Sequence, residues 1–484
     1  MTTEPFNQPE ANTTYHMPDL VTLPEGFLRI LEDLSSAGYP SLLVGGSVRD
    51  ALLGVEANDL DLEVYGVSFA ELAEFLGTRG RVDLVGQAFG VVKFRSPAGF
   101  QCDFSIPRRD SKIGLTHRDF YAHCEPAMTI AEAASRRDFT INSMAYDPIR
   151  GVLHDHFGGR EDLRNKVLRA TSAAFREDPL RVLRGAQFAC RFDLDVDPDT
   201  AGVCRSIAGE FHTLPKERIC EEFMKWATKS VRPGRLIGYL DATGWLPNFP
   251  PLASLQAVPQ DPKWHPEGDV AVHTMHVVDA AARIAIREGL DDFERCVLMM
   301  AALTHDLAKA GTTELREVRG AVRWTSYGHE KASGPKAKLF LESVGIKSEI
   351  VERVVPLVEN HLAHQDFRAE DTPARTARRL ATRLAPANIR ELVLLIEADA
   401  SGRPPLPEGL PEAAGRMRRM AADLRVEAAP EQPLILGRHV IPYFNGNPGP
   451  HIGRVVRAAF EAQLDGAFTD SAGALEWLSR YLAG

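Results

Sequence analysis

Cysteine is scarce and scattered. Its six residues (Cys102, Cys124, Cys190, Cys204, Cys220, Cys296) among 484 never form a CxxC pair. That excludes a disulfide framework and a thiolate zinc clip, and points to reduced, mostly buried thiols and a cytoplasmic address. Long hydrophobic runs are missing too. With no apolar stretch of about 18 residues, no membrane-spanning helix is expected. The start, Met1–Pro18, is polar and without the charged-then-apolar order of a secretory signal. Glycine (38) and proline (32) are too few for disorder, while 44% hydrophobic and 25% charged residues suit a folded chain. An overall positive charge is also absent, since the net charge is −10. Binding follows the local field, however, and Arg95–Arg191 holds 16 Lys/Arg against 12 Asp/Glu, a local +4. This permits RNA binding there without establishing it.

The length exceeds one core and predicts about three units of roughly 100–200 residues. Residues 20–150 mix strand-like and helical runs. Ser41–Val44 reads as a strand ending in Gly45-Gly46, and Leu60–Tyr65 alternates as a second strand. Gly90–Phe94 and Phe100–Ile106 read as a hairpin around Pro97-Ala98-Gly99. From about 160 the pattern turns helical, with Pro179 at the first turn of a helix to Phe192. Prolines 247, 250, 251, 259 and 262 mark a linker, residues 270–400 read as helical and rich in His, and Gly402–Pro411 is a second break. The expected division is an α+β head (20–150), a helical neck (151–246), a His-rich helical domain (265–405) and a helical tail (430–484).

Chemistry concentrates first at Leu42–Gly54 and Asp59–Gly66. A glycine pair between strand and helix lets backbone N–H groups approach a triphosphate. Asp59 and Asp61, two apart on a strand, point to one side. Carboxylates held that closely repel unless cations intervene, and hard oxygen ligands suit Mg²⁺. Asp103, in Phe100–Ile106, is the candidate third carboxylate. A solvated strand edge is the alternative for the Asp pair; its place beside the strand–GG–helix element favours the catalytic reading.

GGSVRDALLG and DLDLEV, then RRDFTINSMAYD (Arg136–Asp147) and EDPLRVLRGAQFACRF (Glu177–Phe192), resemble the bacterial class II tRNA nucleotidyltransferase and poly(A) polymerase family in order and spacing. The resemblance implies a polymerase-β-like head on a helical neck and body. By position it assigns Gly45, Gly46 and Arg49 to the triphosphate, Asp59, Asp61 and Asp103 to the catalytic metals, and Arg137 and Asp138 to ribose or phosphates. Asp178 and Arg181 would present the edges that read the incoming base, supported by Arg184. An Asp–Arg pair three apart shares a helix face and can match cytosine or adenine donors and acceptors; the same pair could be a capping ion pair. Gln187 stands where the family often has an arginine. LVGQAFGVVKF (Leu84–Phe94) lacks the GRRF-like signature usual in poly(A) polymerases. The polar segment Arg108–Ile130, with Gly114, occupies the place of the loop associated with switching to A addition. The resemblance therefore implies C-C-A addition to tRNA from CTP and ATP, with poly(A) synthesis or A-only addition as alternatives.

The His-rich stretch supplies His273, His305-Asp306 and Asp399, with His329 and His361 further along. This order resembles the HD metal-dependent phosphohydrolases and implies a divalent transition metal or Mg²⁺, with His329 and His361 available to a second ion. His265, His276 and His364 read as ordinary polar residues. An HD domain behind such a head is similar to the multifunctional CCA proteins of some bacteria, implying phosphatase or 2′,3′-cyclic phosphodiesterase repair of tRNA ends. An alarmone synthetase–hydrolase would place HD first. Expected partners are tRNA and nucleoside triphosphates, with no membrane, and the chain as monomer or homodimer. In the tail, Arg454 and Arg457 lie either near tRNA or on an inert packing helix.

Overall fold

The computed structural model describes residues 13–55, 60–84, 90–112, 120–445 and 447–483. The chain forms two units, Met1–Glu222 with Gly238–Asn248, and Phe223–Ile237 with Phe249–Gly484.

The first unit is built on strands β1 (Thr14–His16), β2 (Ser41–Val44), β3 (Asp61–Val64), β4 (Arg81–Asp83), β5 (Val91–Arg95), β6 (Gln101–Ser105), the hairpin pair β7 (Arg108–Lys112) and β8 (Phe120–Cys124), and β9 (Ala145–Asp147) with β10 (Val152–His154). Eight of them make one sheet in the order β1-β10-β9-β2-β3-β6-β5-β4. Every pairing in it is antiparallel except β3 with β6. Alternation decides which side is core: Leu62 and Val64 of β3 are buried with Phe104, Val92 and Phe94 of its neighbours. Helix α1 (Phe27–Ser36) adds Phe27, Ile30, Leu31 and Leu34, an apolar stripe at helical spacing. Each such side chain stabilises the fold by roughly 1.5–3 kcal/mol. Helix α2 (Gly46–Leu52) follows β2, and α3 (Phe69–Gly77) begins with a Ser68–Glu71 capping box. Helix α4 (Ile130–Ser135) covers the other side of the sheet, where Leu42, Val44 and Tyr65 meet Met128 and Ala133.

Helix α5 (Gly159–Arg164) leads to the short parallel pair β11 (Val167–Leu168) and β12 (Asp195–Val196) around α6 (Leu180–Phe192). The Asp178 carboxylate caps α6 by accepting from the Leu180 N–H at 3.0 Å. Helix α7 (Pro198–Ser206) follows, and the chain passes between the units within α8 (Lys216–Lys229), within α9 (Arg235–Ala242) and again after Asn248.

The second unit contains α10 (Pro250–Ala253), α11 (Val270–Arg287), α12 (Asp292–Thr304), α13 (Lys309–Thr312), the hairpin β13 (Glu314–Val318) and β14 (Ala321–Thr325), then α14 (His329–Ser343), α15 (Ser348–Glu359), α16 (Ala374–Leu384), α17 (Ile389–Ser401), α18 (Glu412–Asp423), α19 (Gly437–Val440), α20 (Pro450–Leu464) and α21 (Ser471–Ala483). The last three share a small core of Val440, Val455, Ala459, Ala474 and Leu478. Among the described residues no helix is long and apolar enough to cross a membrane.

The expected α+β head followed by helices is what forms. Three features differ from the reading of the sequence. β1 lies ahead of residue 20 yet joins the head sheet through β10. The segment read as a polar loop, Arg108–Ile130, contains paired strands, with Gly114 outside the described residues. A β-hairpin interrupts the stretch 270–400 that was read as helical.

Candidate active sites

In the head, β2 delivers Gly45 with φ 71°, a left-handed conformation that disfavours side chains, and α2 starts at Gly46. A Cβ at Gly45 would stand 3.0 Å from Arg137 Nη1, and one at Gly46 3.4 Å from Arg49 Nη2. The glycine pair therefore presents bare backbone beside two guanidinium groups. On β3 and β6 the parallel register sets Asp61 opposite Asp103, so the two carboxylates share one face on strands about 4.8 Å apart. Glu63 follows on that face, accepting from the Tyr65 hydroxyl at 2.8 Å and lying 3.4 Å from Arg137 Nη2. Burial, reinforced by Glu63, pushes the Tyr65 phenol well above its ordinary range. Lys93 Nζ is 3.7 Å from Asp103 Oδ2. Asp59 lies outside the described residues. The oxygen donors of Asp61 and Asp103 fit a hard divalent cation.

Four further expected residues have their side chains committed within the fold. Arg49 is buried; its Nη1 donates to Asn142 Oδ1 at 2.5 Å, its Nε to Asp50 Oδ1 at 2.8 Å, and it lies 4.4 Å over the Phe192 ring. Burial lowers its pKa, opposed by Asp50. Asp138 accepts from the Phe139 N–H at 2.8 Å, Asn142 Nδ2 at 3.0 Å and Arg184 Nε at 2.8 Å. Burial opposes its charge, but Arg184, Asn142 and Arg181 outweigh that and hold the carboxyl at about 2. Arg181 donates to the carbonyls of Ala174 (2.9 Å) and Arg136 (2.7 Å). Asp178 caps α6 and pairs with Arg218 at 3.1 Å, so it and Arg181 are engaged with separate partners.

In the second unit the six expected residues converge from α11, the end of α12, α14, the end of α15 and α17, and all six are buried. His273 Nε2 is 3.1 Å from Asp399 Oδ1 and 3.8 Å from Asp306 Oδ2, and His305 Nε2 is 3.1 Å from Asp306 Oδ2. His329 Nε2 is 3.2 Å from Asp306 Oδ1, and His361 Nε2 is 4.0 Å away. The Nδ1 atoms of His305, His329 and His361 each face a backbone carbonyl, of Ala302 (2.8 Å), Ser326 (2.6 Å) and Val358 (2.7 Å) respectively. Carbonyls only accept, so the network assigns each proton to Nδ1 and leaves each Nε2 lone pair pointing inward. The Nε2 atoms of His329 and His361 then face each other at 3.2 Å beside Asp306. Three acceptors without a shared proton repel unless a cation lies among them. Protonation is a poor remedy for His361, whose pKa burial, with His329 and His305 nearby, lowers to about 3. Among the described residues three groups have ligand atoms within 4.8 Å of one another: His273–His305–Asp399, Asp306–His329–His361 and, beside them, His265–Glu267–His273. Imidazole and carboxylate donors so arranged fit divalent transition metals.

Residues 41–169 match the model of the Poly A polymerase head domain, and residues 270–399 that of the HD domain. Over 371 residues the chain is 35% identical to the Multifunctional CCA protein of Xanthomonas campestris pv. campestris (strain B100), covering 75% of this chain and 85% of that protein. The chain belongs to the multifunctional CCA protein family. Its fold is that of solved CCA-adding enzymes. The Bacillus stearothermophilus enzyme in complex with CTP gives a TM-score of 0.63 at 20% identity, covering 94% of this chain and 96% of that one. The Thermotoga maritima enzyme complexed with tRNA_CCA gives 0.56 at 18%, covering 95% and 96%.

Several residues of this multifunctional CCA protein family member escaped the sequence reading. Glu63 was legible in principle, because strand period 2 puts it on the face of Asp61. Glu267 accepts from His265 Nδ1 at 2.9 Å and His273 Nδ1 at 2.8 Å, fixing the tautomer of His273. Burial disfavours its charge, yet the two imidazole N–H groups hold it at about 2. His265, read as an ordinary polar residue, thus belongs to the support of the site, while burial lowers its own pKa to about 4. Lys309 Nζ reaches Asp306 Oδ2 at 2.8 Å and Arg403 Nη2 reaches Asp399 Oδ1 at 2.5 Å, each one helical turn along the chain.

Proposed function

We propose that the chain adds C-C-A to the 3′ end of tRNA, without a nucleic-acid template, from CTP and ATP. The register of Asp61 against Asp103 beside the Gly45–Arg137 cradle carries this reading, and family membership supports it. In each cycle the terminal ribose oxygen bonds to the α-phosphorus of the incoming nucleotide, the bond to the pyrophosphate oxygen breaks, and pyrophosphate leaves. Mg²⁺ held by Asp61, Asp103 and Asp59 would supply charge neutralisation for both oxygens. Bare backbone at Gly45 and Gly46 leaves room for the triphosphate, and Arg137, anchored at Glu63, stands beside it. Arg49, Asp138 and Arg184 act by bracing α2 against α6. Asp178 and Arg181 read the base through donors and acceptors that remain after their present bonds. A cytoplasmic address, and a monomer or homodimer, complete the reading.

The HD domain acts on the same RNA terminus as a phosphatase or 2′,3′-cyclic phosphodiesterase. Its bound metal, Mn, Ni, Co, Fe or Mg, would lower the pKa of a water directed at phosphorus. His273, His305, Asp306, Asp399, His329 and His361 would hold it, while Glu267 orients His273. Water adds to the cyclic phosphate, one P–O bond breaks, and the released ribose oxygen takes the proton.

The test incubates tRNA transcripts ending at the discriminator base with protein, CTP, ATP and Mg²⁺, then sequences the new ends. Growth that stops after C-C-A is expected. Long adenosine tails would replace this reading by poly(A) synthesis, and growth only on ends already carrying C-C would replace it by A-only addition.

A further inference from the structure

Two aromatic rings project from the second unit on the segments leading into the His–Asp cluster. Trp264, 55% exposed, precedes His265, Glu267 and α11, and Tyr327, 63% exposed, precedes His329. Packing explains neither. Each ring is covered by a cation instead: Lys263 Nζ lies 5.1 Å from the Trp264 centroid and Arg316 Cζ 5.3 Å from that of Tyr327.

The β13–β14 hairpin ties the two rings to one place. Arg316 stands directly opposite Arg323 across the strands, and Glu314 accepts from Arg316 Nε at 2.6 Å. Arg323 reaches Asp261 at 3.5 Å, and the Asp261 carbonyl accepts the N–H groups of Trp264 and His265. The hairpin is rooted in the cluster itself. Thr313 and Ser326 join hydroxyls at its base at 2.7 Å, and the Ser326 carbonyl fixes His329. At its tip, Arg319 (φ 53°) and Gly320 (φ 77°) form the two-residue turn. That first position favours Asn or Asp, so an arginine is held there against local preference. Residues 314–328 carry three cations and two carboxylates, a local +1 in a chain of net −10.

We propose that Trp264, Tyr327 and this hairpin form a clamp for the last nucleotides of a single-stranded RNA 3′ end. Bases stack on the two rings, phosphates lie along Arg316, Arg319 and Arg323, and the terminal phosphoester is thereby presented to the HD cluster. Stacking tolerates any base, as a terminus of variable sequence demands. Each strand, about 15 Å long, offers the reach of a short oligonucleotide rather than of one phosphate. The inference rests on the phosphohydrolase reading of that cluster and names the side chains that hold the RNA end before it.

The test compares the full-length Trp264→Ala/Tyr327→Ala protein with the wild type, with Mn²⁺ or Ni²⁺ present. The substrates are an RNA pentamer ending in a 2′,3′-cyclic phosphate and bis(p-nitrophenyl) phosphate. The ratio of kcat/KM for RNA to that for the small ester should fall about ten-fold or more. A ratio equal to that of the wild type overturns the clamp. Independently, hydrogen exchange of the wild type with a pentamer ending in a 3′-phosphate should slow within 261–268 and 314–328, and unchanged exchange there overturns it too. A wild type that hydrolyses neither ester defeats the phosphohydrolase reading, while the exchange measurement still decides the clamp.

Discussion

Asp138 is a buried carboxylate whose charge is secured by Arg184, Asn142 and a backbone N–H. Its carboxyl sits at about 2 against an ordinary 3.8, a difference of ~2 kcal/mol of stability by linkage. Because the folded value is the lower one, that contribution is complete above pH 4 and disappears as pH falls towards 2. Asp138→Asn should lower the urea midpoint at pH 7, and the gap to the wild type should narrow below pH 4. A gap independent of pH would refute the ion-pair account. Motif order picked out Asp138 in RRDFTIN, but nothing in the sequence joined it to Arg184, 46 residues on. Pairings of that range depend on how α6 lies against the head, which local spacing does not encode. The Glu267–His273 bond was hidden for another reason. Its two residues are close in the chain, but their side chains meet only because a turn folds back on α11.

At the scale of elements, α2 and α6 are joined by one side chain. Arg49, on α2, stacks over Phe188 and Phe192 of α6 while bonding Asp50 and Asn142. Lysine keeps the charge and loses the planar fork. Arg49→Lys should therefore destabilise the first unit by roughly 2 kcal/mol, read as a lower thermal midpoint, and depress CTP incorporation with it. An unaltered midpoint would mean that the bracing is not structural. The sequence revealed β3, β5, β6 and α6 by their period and β2 as an apolar run closed by Gly45-Gly46. It did not reveal β1, β9 or β10, which are three residues long and too short to show alternation. The β13–β14 hairpin was missed because its faces carry charges among apolar residues and its turn is Arg-Gly instead of Asn-Gly.

At the scale of the molecule, the two proposed chemistries draw on separate sets of residues. Asp61→Ala should reduce nucleotide addition to background while phosphoester hydrolysis persists, and Asp306→Ala should do the reverse. Both assays run on the same preparations, with folding checked by circular dichroism. Loss of both activities from either change in a folded protein would contradict two independent sites. The division into head and helical regions was legible from composition breaks and motif order. The HD resemblance grouped the six residues of the His–Asp cluster, while the distances among them, set by five helices far apart in the chain, are not encoded in local spacing.

The edge strand β1 and helix α1 have a practical consequence for anyone wishing to produce the nucleotidyltransferase half by itself. Both precede residue 41, where the match to the family's head begins. Cutting there would strip Phe27, Leu31 and Leu34 from the interior and deprive the Tyr146 hydroxyl of the Met17 carbonyl to which it donates at 2.9 Å. It would also leave β10 with a bare edge, the kind of surface on which chains aggregate. A stand-alone head should therefore begin no later than residue 13, well upstream of its recognisable motifs.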